Sequence, residues 1–251
     1  MIEFLNRLDT ELFIYLNSIN SDFFDSVFIW ITEKYSWLFL YVILTGLIVW
    51  RYMEAKVIVT PGKGLMGYTL QMNGNYWPWV LLATIFTILV VALGDQISVH
   101  LFKNFFQRLR PSHEAFLEEI IHIPRRKGGL YGFVSGHATT SFAAAYFTSR
   151  IIGLRWYTIV IYTWAILFSY SRIYIGVHYP GDSIFGILLG LSIGWMMLRV
   201  WIATGNEWFP SLMPPKLLHS RPVIPGAENV IPDGVTGLQE PEGPGSRQVL
   251  K

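Results

Sequence analysis

Long apolar runs separated by short polar stretches dominate the chain. Five of them predict helices, near Tyr35–Trp50, Trp77–Val99, Gly132–Ser149, Trp156–Tyr170 and Ser183–Trp201. A straight membrane crossing needs about 20 residues. The second and fifth runs meet that length, and the other three reach it only with polar or aromatic ends. The third, "GHATTSFAAAYFTS", is made of small residues and hydroxyls, a composition that suits burial among other helices better than exposure to lipid.

The N-terminal residues 1–34 have another pattern. "FLNRLDTELFIYL" places Phe4, Leu5, Leu8, Leu12, Phe13 and Leu16 at helical spacing, with acids and Arg7 on the other face. "DFFDSVFIWITEK" is apolar but too short to span. Both predict interfacial or half-inserted helices, with a sixth span as the alternative. Eight of the thirteen prolines fall between Pro210 and Pro244, with glycine interspersed, so 209–251 reads as an extramembrane, unstructured tail. The expectation is an all-α, polytopic membrane bundle of five or six spans over 35–208, preceded by interfacial helices.

Composition sharpens this picture. The chain is 52% hydrophobic and 16% aromatic with 14% charged residues, where soluble domains carry roughly a quarter charged. A net charge of +2 is too small to imply nucleic acid. With no cysteine, disulfides, thiol catalysis and Cys-ligated metal centres are excluded. The acidic start, lacking a basic n-region, does not read as a cleaved signal peptide. With five spans, the loops at 51–76 and 150–155 share one side and those at 100–136 and 171–182 the other. Both sides carry basic residues, which blurs the positive-inside count unless the second set serves a site.

That second side holds three polar clusters. In "KNFFQRLRP", Lys103 and Arg110 are seven apart, about two helical turns, which predicts two cations on one helix face up to Pro111. In "YGFVSGHATT", Ser135 is a candidate N-cap for a helix beginning near His137. Backbone donors at Ser135 and Gly136 would then form an anion site at the positive end of the dipole. In "SRIYIGVHYPGD", Arg172 can grip oxyanion oxygens in a fork. His178 and Asp182, four apart across a "YPG" turn, can pair so that one imidazole nitrogen is held and the other is free to attack. Together the clusters offer three cations, helix-start donors and two histidines to one tetrahedral anion.

The ordered trio K-x6-RP (Lys103, Arg110, Pro111), SGH (Ser135, Gly136, His137) and SR-x5-H-x3-D (Ser171, Arg172, His178, Asp182) resembles the three-part signature of the type 2 phosphatidic acid phosphatase family. The match runs from about 77 to 200. The family usually has a proline before SGH, where this chain has Val134. The resemblance implies a catalytic set of His178, Asp182 and His137. His178 would form a phosphohistidine, Asp182 would orient it, and His137 would protonate the leaving oxygen and then help activate water. Lys103, Arg110, Arg172, Ser135 and Gly136 would bind phosphate, with no metal and no cofactor. It further implies a lipid phosphate substrate in a bacterial inner membrane, with the site on the periplasmic face. Candidate substrates are undecaprenyl diphosphate, phosphatidylglycerophosphate, phosphatidate and lipid A phosphates. No protein partner is implied.

Two other readings use the same residues. One is a lipid phosphotransferase with a different acceptor. The other is a transporter or channel with Asp95, Arg172, Asp182 and the histidines as its polar pathway. Asp95 and His100 could support the site from the end of the second run. His113, Glu114 and the basic stretch 125–127 could meet a headgroup.

Overall fold

The run of small residues and hydroxyls becomes the central helix. In the computed structural model, which describes residues 2–54, 60–61, 68–69, 77–125 and 127–208, the elements are α1 (Ile2–Ser18), α2 (Asp22–Thr32), α3 (Lys34–Glu54), α4 (Trp77–Gln96), α5 (Asn104–Phe106), α6 (Gly136–Ile152), α7 (Arg155–Tyr174) and α8 (Pro180–Trp208). A π-helical segment, Ile97–Lys103, joins α4 to α5 without a break. One two-residue antiparallel ladder, β1 (Thr60–Pro61) with β2 (Tyr68–Thr69), lies between α3 and α4. The expected tail falls outside the described residues.

Fourteen of the seventeen residues of α6 are buried, so the other long helices wrap around it. Its hydroxyls bond back to its own backbone: Thr139 to the Ser135 carbonyl, Thr140 to Gly136 and Thr148 to Ala144. This lets polar side chains sit inside a bundle at little cost. The closest packing is with α8. A Cβ at Gly190 would lie 2.3 Å from the Thr139 carbonyl oxygen, and at Gly186 and Gly194 it would lie 2.7 and 2.8 Å from the Ser135 and Ala143 carbonyls. Three glycines one turn apart therefore face three small residues one turn apart, the small-xxx-small device by which membrane helices approach. Around them Ile48 of α3, Trp79 and Phe86 of α4, Phe147 of α6, Ile161 of α7 and Trp201 of α8 form the main apolar core.

Large apolar side chains on the outer faces are exposed, among them Leu81, Ile85 and Ile88 of α4 and Ile184, Leu188 and Trp195 of α8. An apolar belt of this extent belongs in lipid. Among the described residues, Trp77–Phe106 (30 residues) and Pro180–Gly205 (26 residues) are long and apolar enough to cross a membrane, and Phe39–Trp50 is a shorter apolar stretch. The protein is thus a helical membrane protein with two clear spans.

The N-terminal helices dock through few of their apolar positions. On α1, Phe4, Leu5, Leu8 and Leu12 are exposed, while Phe13 and Asn17 are buried. Phe13 packs on Leu117, Ile173 and Tyr179. Asn17 donates to the Tyr174 carbonyl at 2.7 Å and accepts from the His122 N–H at 2.7 Å. The packed face of α1 is therefore a mixed polar one that includes Asp9, one of the acids that spacing sets opposite the apolar residues. The reason is that the turn after α7 pairs the carbonyls of residues 171–173 with backbone N–H groups and leaves the Tyr174 carbonyl to the Asn17 amide. On α2, Phe28 packs against Tyr174, Ile175 and Val177.

Candidate active site

The site is assembled where α4 and α7 end and α6 and α8 begin. Lys103 closes the π-helical segment, a local widening that re-aims side chains and recurs at functional sites. The ammonium comes to the start of α6: a Cβ at Gly136 would lie 3.6 Å from Lys103 Nζ and 3.0 Å from Ser98 Oγ.

Arg110 does not share a helix face with Lys103, contrary to the spacing expectation. The helix stops at Phe106, Gln107 turns left-handed (φ 48°), and Arg110 is extended. Residues 108–110 pair with 130–132 instead. Leu109 bridges Tyr131, the Arg110 N–H donates to the Leu130 carbonyl (3.1 Å), and the Gly132 N–H donates to the Arg108 carbonyl (2.8 Å). This pairing brings the first motif against the second. Arg110 Nε donates to the Tyr131 carbonyl at 3.1 Å.

Helix α6 starts at Gly136 with Ser135 as its N-cap, whose hydroxyl accepts from the Ala138 N–H. The Ser135 N–H, expected as an anion donor, is taken by the Asp182 carbonyl at 3.0 Å. His137 follows on the first turn and stacks on Phe168 with ring centroids 5.1 Å apart.

In the third motif a tight turn carries His178 back to Arg172. Gly176 takes the left-handed conformation (φ 76°) that favours glycine, and the N–H groups of Val177 and His178 both donate to the Arg172 carbonyl. Pro180 opens α8 at its first position, and Asp182 at the third reaches back to accept the Tyr179 N–H at 3.1 Å. This is one half of a capping box, the carboxylate at the third position accepting from the N–H that precedes the helix.

The same carboxyl oxygen, Oδ2, lies 3.4 Å from His178 Nδ1, and Gly132 packs against that nitrogen, where a Cβ would lie 3.6 Å from it. His178 and Asp182 are both fully buried, at 1% and 0% exposure. With Nδ1 held, Nε2 is the nitrogen left for chemistry.

Burial lowers the His178 pKa well below the ordinary imidazole value, and the charges of Arg110, Arg172 and Lys103 push it the same way. These three cations therefore converge on one imidazole. His137 lies within electrostatic reach of the same three and of His178. Among the described residues, the buried Arg172 Nε has no hydrogen-bond partner, an unsatisfied donor of the sort a bound oxyanion would satisfy. Burial lowers the Arg110 pKa, opposed by the charge of Asp182.

The remaining candidates divide. Asp95 lines a cleft of about 720 Å³ between α3, α4 and α6, together with Thr84, Thr87, Ile88 and His137. His100 is exposed on the π-helical segment. Arg125 pairs with Glu33 and Lys127 with Glu118, so both are engaged away from the imidazoles. The His113 ring lies against the Gly128 carbonyl at 3.3 Å. Arg126 is outside the described residues.

Two residues at the site escaped the reading of the sequence: Arg108, which bonds Asp182 Oδ1 at 2.9 Å, and Asp9 of α1, which bonds Arg108 at 2.8 Å. Burial disfavours the charge on Arg108, but Asp182 and Asp9 outweigh it and raise the guanidinium pKa above its ordinary value.

With this geometry in view, comparison with known proteins identifies the family. The model of the PAP2 superfamily matches residues 78–205. A lipid A 4'-phosphatase of Porphyromonas gingivalis is 30% identical over 85% of this chain and 81% of its own. A lipid A 4'-phosphatase of Bacteroides thetaiotaomicron is 33% identical over 78% of each chain. The crystal structure of a transmembrane PAP2-type phosphatidylglycerolphosphate phosphatase from Bacillus subtilis shares the fold, with a TM-score of 0.53 at 18% identity over 82% of this chain and 87% of that one. The ordered motifs, the fold around them and the match across more than half the chain agree: the chain belongs to the PAP2 superfamily.

Proposed function

We propose that this membrane phosphatase hydrolyses a lipid phosphate in two steps through a covalent phosphohistidine on His178. In the first step Nε2 attacks phosphorus, an N–P bond forms, and the P–O bond to the lipid breaks as His137 delivers a proton to the departing oxygen. In the second, His137 takes a proton from water, whose oxygen displaces the histidine and releases inorganic phosphate. Asp182 holds the His178 tautomer and balances the positive charge that develops on the ring. Lys103, Arg110 and Arg172, with the Ser135 hydroxyl and the Gly136 N–H at the start of α6, hold the phosphoryl oxygens. Fixed cations here supply the charge stabilisation that metal ions provide in other phosphoryl-transfer enzymes.

The observation that carries this reading is the buried His178–Asp182 pair facing three cations. As substrate we propose a lipid A-type phosphate monoester. Support comes from the two lipid A 4'-phosphatases, each matched over more than three quarters of its length. We further infer five spans, formed by α3, α4, α6, α7 and α8, and a bacterial inner-membrane location with the site on the periplasmic face. The supporting feature is that all three motifs lie at one end of the helices.

The test is phosphate release by the purified protein from lipid A, undecaprenyl diphosphate, phosphatidylglycerophosphate and phosphatidate. Release should be fastest from lipid A, persist in excess EDTA, and fall by more than about 10³-fold in His178→Ala. Equal release by that variant would refute the nucleophile assignment.

A further inference from the structure

Four cations crowd the site, and one of them differs from the rest in what it touches. Arg108 presents both terminal nitrogens to carboxylates: Nη1 donates to Asp182 Oδ1 at 2.9 Å and Nη2 to Asp9 Oδ2 at 2.8 Å. Its guanidinium also lies 4.1 Å over the Tyr179 ring. Among the described residues, Arg110 gives its Nε to a backbone carbonyl and the Arg172 Nε has no partner. Arg110 and Arg172 are thus open to an anion, whereas Arg108 is already neutralised from two sides.

Asp9 is fixed in turn. Its other oxygen accepts the Gly181 N–H at 2.7 Å, at the second position of α8, where the helix dipole favours a carboxylate. A Cβ at Gly181 would lie 2.7 Å from Asp9 Oδ2, so the approach depends on glycine there. One turn along α1, Phe13 packs edge-on against Tyr179, with centroids 5.4 Å apart. Asn17 pins the next turn to the end of α7. Helix α1 therefore reaches both neighbours of the Asp182 turn.

We propose that Arg108, held from behind by Asp9, is a positioning residue for the nucleophile: it fixes the Asp182 carboxylate, and Asp182 fixes the His178 ring. This makes α1 a working part of the site. The proposal rests on the phosphohistidine reading above. The need for such a device follows from burial, since a carboxylate at 0% exposure is stable only with its oxygens matched to donors. Oδ2 serves Tyr179 and His178, and Oδ1 depends on Arg108. The ionisable groups facing the pair are Arg108 and Arg110 from the linker, Asp9 from α1, Lys103 from the end of the π-helical segment, His137 from α6, Arg172 from α7, and Tyr179 on the same turn. Removing Arg108 takes one positive charge from this set without removing a phosphate ligand.

The experiment is steady-state phosphate release from lipid A and from short-chain phosphatidate across pH, using full-length protein in detergent micelles. Arg108→Gln should lower kcat by about 100-fold, the upper end for residues that orient a ligating or reacting group, with KM within about threefold. The acid limb of kcat/KM should move to higher pH, because the imidazole then faces an uncompensated carboxylate. Arg108→Lys keeps the charge but cannot bridge two carboxylates, so it should keep the wild-type limb at reduced kcat. Asp9→Asn retains an acceptor for Gly181 but removes one negative charge and loosens Arg108, so it should lower kcat by less than Arg108→Gln and move the limb to lower pH. That variant carries the test if Arg108→Gln does not fold.

Three results would overturn the proposal: wild-type kinetics in Arg108→Gln, a raised KM at unchanged kcat, or a uniform loss across pH with an unmoved limb. His178→Ala run in parallel separates the two levels. If it stays active, the phosphohistidine reading fails. If it is dead while Arg108→Gln is normal, only the positioning role fails.

Discussion

The middle of the bundle and the end that carries the site are held together by different means. In the middle, Gly186, Gly190 and Gly194 of α8 meet Ser135, Thr139 and Ala143 of α6, and the hydroxyls bond to carbonyls three or four residues away on the same helix. At the site end the polar bonds span the chain. Asp9 reaches Arg108 and Gly181, Asn17 reaches His122 and Tyr174, and Arg108 reaches Asp182. The first region is satisfied locally and packed tightly, which favours stability. The second leaves the Arg172 Nε unpartnered and gathers like charges around a buried imidazole, which favours ligand binding at a cost in stability.

The contrast can be broken most sharply with Arg172→Ala. Phosphate release should fall by more than about 100-fold, the scale of losing a charged group that stabilises a developing anion. The melting temperature should hold or rise, because an unsatisfied buried donor is removed. Loss of both activity and stability would show that the site end is structural as well.

Gly190→Val probes the other region. A Cβ 2.3 Å from the Thr139 carbonyl forces α8 away from α6, and overpacking of this kind costs about 3 kcal/mol. Thermal unfolding in detergent should report it. A neutral outcome would mean that the two helices are not held by close approach.

A pH profile sharpens the electrostatic side. The His178 pKa is depressed by burial and by Arg110, Arg172 and Lys103, so its imidazole stays neutral as pH falls through the ordinary value of about 6.5. The acid limb of kcat/KM assigned to this group should lie below that value. The same depression makes a stability contribution that is present above the unfolded-state value and lost as pH falls towards the folded one. A limb at or above 6.5 would contradict the cationic environment.

The smallest effect is expected from Glu118→Gln. The Lys127–Glu118 pair is solvent-exposed, with side-chain exposures of 44% and 63%, and exposed ion pairs contribute little. Neither melting temperature nor activity should change measurably.

Much of the bundle was legible in the sequence because its causes are local. Apolar runs set the long helices, small residues marked α6 as central, and Ser135, Pro180 and Asp182 are cap residues whose roles follow from position. The four-residue spacing of His178 and Asp182 likewise describes a pairing that a helix start can make. What sequence spacing missed depends on partners far along the chain. Lys103 and Arg110 meet through a π-helical segment, a left-handed Gln107 and a strand-like pairing with 130–132, not through two regular turns. Asp9 was one of the acids set opposite the apolar face of α1, and spacing gives such a residue no partner because its partners lie 99 and 172 positions away. Arg108, inside the first motif, could have been found only by asking what neutralises a buried Asp182.

The most direct measurement is a rapid quench with phosphate-labelled lipid A followed by peptide mapping. The account predicts an acid-labile, alkali-stable phosphate on the peptide containing His178, absent in His178→Ala. Turnover with no protein-bound phosphate, or label on a peptide lacking His178, would contradict it.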